Sequence, residues 1–167
     1  MFIKGFSSMF ILIVACLLML NAGLLNADSY NLKNNCSCSV SQTATTIFSK
    51  QISFSGGTYH VVATVWLTRT AGTGSGIITL NSDTTELARS YIPTVGLNQW
   101  IQVTLSAYVE LTKAQHTIAI NAQSEGSGIT FQFGPPSCYT CSTDPSTCDS
   151  CDGRLGRTVT IVRTSCP

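Results

Sequence analysis

The residues with most chemistry to offer are cysteines. Cys138-Tyr-Thr-Cys141 and Cys148-Asp-Ser-Cys151 form two C-x-x-C pairs, Cys166 follows near the end, and Cys36 and Cys38 stand early in the chain. Paired C-x-x-C thiols have the spacing of a zinc knuckle in a reducing compartment and of a disulfide framework in an oxidising one. The start of the chain decides between them. Lys4 precedes the apolar run Met9 to Leu20, and small and polar residues follow as far as Asn26-Ala27. That is the order of a secretory leader, and an apolar run of about a dozen residues is short of the roughly 20 that span a bilayer. Cleavage is predicted after Ala27, with a secreted product that keeps no membrane span. The cysteines Cys36, Cys38, Cys138, Cys141, Cys148, Cys151 and Cys166 are then expected as disulfides. Neighbours as close as Cys36 and Cys38 do not readily bond each other, so outward partners are expected. Their number is odd, and Cys166 is the candidate for a bridge between chains, which predicts a disulfide-linked homo-oligomer.

Catalytic groups are sparse. The chain holds two histidines, His60 and His116, and eight acidic residues with no recurrent pairing. Glycoside hydrolysis needs two carboxylates across a cleft, which no spacing proposes here. Gly72-Thr-Gly-Ser-Gly76 is near a nucleophile elbow in composition but lacks the strand-to-helix context that chemistry requires. The reading is a non-enzyme with no cofactor. A net charge of +1 with 10% charged residues leaves no basic face for nucleic acid and no acidic run.

The elements that must position any site are strands. Ile52 to Phe54, Tyr59 to Thr68, Ser75 to Leu80, Leu87 to Ile92, Trp100 to Ser106, His116 to Ala122 and Gly128 to Phe133 are short β-branched and aromatic runs. Between them stand Gly56-Gly57, Ala71 to Gly76 and Ser124 to Gly128 as turns. In the second run Tyr59, Val61, Ala63, Val65 and Leu67 share one face and His60, Val62, Thr64, Trp66 and Thr68 the other; the first set is the expected core. Such density of short strands predicts an all-β fold, a jelly-roll β-sandwich, with a small disulfide-rich C-terminal tail. The expected organisation is a leader over 1–27, an N-terminal segment carrying Cys36 and Cys38 over 28–44, the sandwich over 45–134 and the cysteine-rich tail over 135–167. Val159, Ile161 and Arg163 alternate as one last strand.

Gly57-Thr-Tyr59-His-Val-Val-Ala63, Ile77-Ile-Thr-Leu80, Trp100-Ile-Gln-Val-Thr104, Val109 to Ile118 and Gly128-Ile-Thr-Phe131 run in one order. That order resembles carbohydrate-binding modules of the galactose-binding-like sandwich type, although Ala114 and Gln115 stand where the family's turn carries glycine. The resemblance implies a glycan or polysaccharide ligand, stacked by aromatics and hydrogen-bonded by amides. Trp66 and Tyr91 are the candidate platforms; Trp100 is either a platform or a core tryptophan. Asn98, with Gln99, Asn81 and Asp83 in loops, would meet sugar hydroxyls. His116 matches the family's structural histidine, and Asp83, Glu86 and Glu110 are the available oxygens for a structural calcium, though no recognisable metal loop contains them and no metal site is assigned. The run from Cys138 to Gly153 resembles one furin-like cysteine-rich repeat. The same strand order is also similar to trimeric jelly rolls of the complement and tumour necrosis factor type. These alternatives make the protein either a non-catalytic glycan binder or a structural subunit of an extracellular coat, filament or trimer.

Overall fold

The computed structural model describes residues 28–34, 36–134 and 156–165. The leader, Cys138, Cys141, Cys148, Cys151 and Cys166 lie outside them, so the expectations placed on those positions fall outside the described residues.

The described chain is a β-sandwich of two antiparallel sheets. In chain order its strands are β1 (Ser29–Asn34), β2 (Cys38–Val40), β3 (Thr45–Ser53), β4 (Gly57–Ala71), β5 (Gly76–Ser82), β6 (Thr85–Ile92), β7 (Trp100–Leu111), β8 (Gln115–Ser124), β9 (Thr130–Phe133) and β10 (Arg157–Ser165). One sheet has six strands in the order β1-β10-β4-β9-β2, with β7 also on β4; the other has four in the order β3-β8-β5-β6. Period-two alternation builds the core between them. Tyr59, Val61, Ala63, Val65 and Leu67 of β4 are all fully buried, as are Ile118 and Ile120 of β8 and Phe131 and Phe133 of β9. Each Val, Leu, Ile or Phe among them contributes about 1.5–3 kcal/mol on leaving water.

The sandwich is wider than 45–134. β1 and β2 come from the expected N-terminal segment and β10 from the expected tail, and all three are hydrogen-bonded into the six-stranded sheet. The reason is the length of β4. Its Thr58–Val65 half pairs β10 and its Leu67–Ala71 half pairs β9 on the same edge, while β7 occupies the other edge. On that edge the short β9 covers only the Leu67–Ala71 half, and β10, from beyond residue 134, covers the other.

Where β10 gives way to β9, Arg157 pairs with Val65 and therefore points inward. It is 0% exposed, and its Nη2 donates to Asn34 Oδ1 at 3.0 Å and to the Cys36 carbonyl at 2.8 Å. Asn34 Oδ1 also accepts the Cys36 N–H at 2.9 Å. Burial pulls the guanidinium pKa down to about 10, because water no longer solvates the charge. The charge is kept to hold the β1-to-β2 crossing against the seam. Cys36 and Cys38, at 0% and 2% exposure, are buried here. At the opposite end of β10, Tyr59 Oη donates to Asp28 Oδ2 at 3.0 Å, and Ser55 Oγ donates to the same oxygen, fixing the start of β1.

Gly134 ends β9 at φ +80°, and a Cβ there would overlap the Cys36 carbonyl oxygen. Gly134→Ala is therefore expected to lower stability by about 1–3 kcal/mol through backbone strain alone. Chemical denaturation of the two proteins measures this; an unchanged midpoint would mean that the seam is not tight.

Candidate functional site

Binding chemistry concentrates on the outward faces of the two sheets. In the four-stranded sheet, β5 buries Gly76, Ile78, Leu80 and Ser82 and turns Ile77, Thr79 and Asn81 outward. The register sets Ile77 between Tyr91 of β6 and Gln123 of β8, and Thr79 between Arg89 and Asn121. Together with Ala44 these residues, Tyr91 excepted, line a groove of about 90 Å³. Its polar floor is prearranged. Thr46 Oγ1 donates to Asn121 Oδ1 at 2.7 Å, and Asn121 Nδ2 and Thr79 Oγ1 both donate to Asn81 Oδ1, at 3.1 and 2.9 Å. Arg89 presents Nε and Nη2 to the Glu86 carboxylate of the same strand at 2.9 and 2.8 Å, which lowers the carboxyl's pKa and orients the guanidinium along β6. Tyr91, 64% exposed, stands beside Ile77 at the rim.

A volume of 90 Å³ is well below the about 300–1,000 Å³ of pockets that enclose a ligand. A groove of this size has room for the edge of a ligand lying across the surface and not for an enclosed one. The tyrosine ring and Ile77 offer an apolar patch; Asn121 and Arg89 offer polar groups already restrained by hydrogen bonds, and Gln123 adds a further amide.

The outward face of the six-stranded sheet is built differently. His60 and Tyr108 are paired across β4 and β7 and stack with ring centroids 4.4 Å apart and planes 10° apart; His60 Nε2 lies 2.8 Å from Ser106 Oγ. Further along the same two strands Val62 pairs Ser106, Thr64 pairs Thr104, Trp66 pairs Gln102 and Thr68 pairs Trp100. Trp66 and Trp100 are thus diagonal neighbours on one face, both half-buried. The core alternative for Trp100 is corrected by this register: Val103 and Leu105 take the inward positions of β7, and Trp100 shares its face with Gln102 and Thr104. Asn98 lies in the loop just before it, with φ +59° and its N–H donated to the Arg69 carbonyl at 2.9 Å. Three of the four predicted ligand residues, Trp66, Asn98 and Trp100, accordingly gather at one end of the larger sheet, and Tyr91 is on the opposite side of the molecule.

Asn81 belongs to β5 and not to a loop, and Asp83 is already engaged. His116 Nδ1 lies 2.7 Å from Asp83 Oδ2, Asp83 Oδ1 accepts the Thr117 N–H at 2.8 Å, and the Asp83 N–H donates to the Thr117 carbonyl at 2.7 Å. Asp83 and Glu86 thus serve hydrogen bonds to β8 and to Arg89. No group of three metal-ligating side chains occurs among the described residues. Ile77, Thr79, Arg89, Asn121 and Gln123 were not singled out from sequence. Each stands at an outward position of an alternating strand, but which strands lie side by side is set by pairings that no local pattern records.

No protein-family model matches the chain, and no curated protein matches it. Solved structures similar to it include the C-terminal domain of EclA, a sugar-binding protein, at 20% identity and TM-score 0.39, covering 66% of this chain and 76% of that one. TmCBM61, solved in complex with β-1,4-galactotriose, is similar at 16% identity and TM-score 0.36, covering 64% of this chain and 66% of that one. Infectious bursal disease virus, Gx strain, is similar at 12% identity and TM-score 0.45; the match covers 84% of this chain but 37% of the viral one.

Asp83 sits at φ +51°, a conformation that asparagine also tolerates, so Asp83→Asn keeps the backbone while removing the charge and exchanging one acceptor oxygen for an amide donor. The Thr117 N–H first, and the His116 ring second, hold the Asp83 carboxyl below its ordinary pKa. A carboxyl lowered in the folded state contributes stability above its unfolded pKa and loses it as pH falls through the folded value. Because the group is half exposed, the contribution is below about 1 kcal/mol. Wild type is expected to melt slightly above Asp83→Asn at pH 6–8 (about one thermal-shift increment), with the gap closing below about pH 4. A gap that is independent of pH would show that the charge plays no part.

Proposed function

We propose that this chain is a secreted, non-catalytic carbohydrate-binding protein whose glycan site is the groove on the four-stranded sheet. The observation that carries the reading is Tyr91, exposed beside Ile77 at the rim of a floor of prearranged amides and hydroxyls. A pyranose has an apolar CH face and a polar rim. The Tyr91 ring and Ile77 take the face; Asn121, Gln123 and Arg89 take the hydroxyls. A small groove suits this chemistry, since sugar hydroxyls keep part of their hydration and are recognised at an edge.

Export rests on the leader pattern over 1–27, and the expected linkage of Cys36 and Cys38 agrees with an oxidising compartment. Cys36 stands between β1 and β2 and Cys38 opens β2, so bonding them to the cysteines of 135–167 would lock the β1-to-β2 crossing covalently. Cys166 remains as the thiol for a bridge between chains.

The mature protein, beginning at Asp28, is expected to bind glycans in an array or by titration. Tyr91→Ala is expected to weaken binding about tenfold, the upper end of what one aromatic stacking contact contributes. Gln123→Ala should weaken it less, and neither change should shift the melting temperature, because both side chains face outward. Glycan binding unaltered in Tyr91→Ala would remove the groove as the site, and a mature protein that binds no glycan would remove the reading altogether.

A further inference from the structure

The outward face of the six-stranded sheet has a two-dimensional order that the groove does not need. Four strands lie side by side there, and their registers align residues into rows. Ser29, Val162, His60 and Tyr108 form one row, Asn31, Thr160, Val62 and Ser106 the next, and Lys33, Thr158, Thr64 and Thr104 the third. Trp66 and Gln102 follow. The β4–β7 register runs from Gly57 to Thr68 without a shift. Thr104, Ser106, Thr160 and Val162 are exposed, and Tyr108 is 69% exposed. The face is nearly neutral, with Lys33 and Glu110 at its margins on β1 and β7.

We infer that this face is a second carbohydrate-binding surface, for an extended neutral polysaccharide chain lying along β4 and β7, and that one molecule thereby bridges two polysaccharide chains. The inference rests on the carbohydrate reading above but uses different residues. Threonine and serine offer a hydroxyl, and threonine a methyl as well, at the spacing of the sheet; a chain of sugars offers alternating hydroxyls and CH groups. The stacked His60–Tyr108 pair at one end and Trp66 with Trp100 at the other are about 20 Å apart at about 3.4 Å per residue. Aromatic surfaces at that separation suit an oligosaccharide, not a single sugar. Among the described residues no charged cluster lies on this face, which selects a neutral chain over a sulfated or uronic one.

The size and the twist of the face disfavour other occupants. Four strands at about 4.8 Å spacing over about 20 Å cover a few hundred Å², short of the about 800 Å² per partner in a stable protein pair. Adjacent strands also rotate by about 20–25°, so a twisted face follows one chain and not the plane of a crystal. The two binding faces are the two outer surfaces of one sandwich, separated by the core, so occupation of one leaves the other open.

The test uses the monomeric fraction of the mature protein, established by light scattering under non-reducing conditions, with a high-mass neutral polysaccharide that the wild type binds. Wild type is expected to cross-link the polymer, read as turbidity, and to bind at two sites per protein. Tyr91→Ala and, separately, Tyr108→Ala or Thr104→Glu are expected to keep one site and to need at least tenfold more protein for the same turbidity. Bridging that survives Tyr108→Ala and Thr104→Glu overturns the second face, as does a single site in wild type that Tyr91→Ala abolishes. A monomer–dimer equilibrium abolished by Thr104→Glu, with no loss of a glycan site, overturns it in favour of a second copy of the chain. If wild type binds no neutral polysaccharide while still binding another glycan class through Tyr91, this inference falls and the carbohydrate reading stands.

Discussion

Strand β4 is bonded along both edges, and almost every other feature of the molecule follows from that. One edge carries β7 from Gly57 to Thr68; the other is divided between β10 and β9. Backbone groups buried on both sides of a strand must all find partners, since an unpaired one costs free energy comparable to a lost hydrogen bond. The 15 residues of β4 are met by β7 on one edge and, on the other, by β9 and β10 in succession. The division of its second edge creates a seam, and the seam is where the structure tolerates a buried guanidinium and a left-handed glycine.

Arg157 illustrates how that demand is met. A charge fully removed from water is unfavourable unless hydrogen-bonded, and here only Nη2 has acceptors, while Nε and Nη1 have none. What the residue supplies in return is position: one side chain fixes Asn34 and the Cys36 carbonyl, and so joins β1, β2 and β10 at a single point. The same economy appears at Asp83, whose carboxylate and backbone tie the β5–β6 turn to β8. Charged residues are few in this chain, and several of them act as joints between strands.

Much of the sandwich was legible locally. The alternation from Tyr59 to Leu67 identified the buried face of β4 because a strand's period of two is a property of the strand itself, and the glycine clusters marked the turns because positive φ is a local demand. Trp66 facing away from the core followed from the same count. What could not be read was adjacency. β1 and β10 meet across more than a hundred residues of sequence, and nothing in Ser29–Asn34 announces Arg157–Ser165. For the same reason Trp66 and Trp100 could be named but not placed together, Tyr91 could not be separated from them, and Asn121, Gln123 and Arg89 could not be assembled into one groove.

The pairing of β1 with β10 has a mechanical side. The Arg163 N–H bonds the Asp28 carbonyl at 3.0 Å, so the two ends of the described fold lie side by side and point the same way out of one sheet. Antiparallel ladder bonds run across the strands, so tension applied between these ends loads them singly, from the Asp28 end inward, instead of shearing all of them at once. Held by its two ends, the domain peels open at low force. Anchored through its faces, it carries the same load across whole ladders.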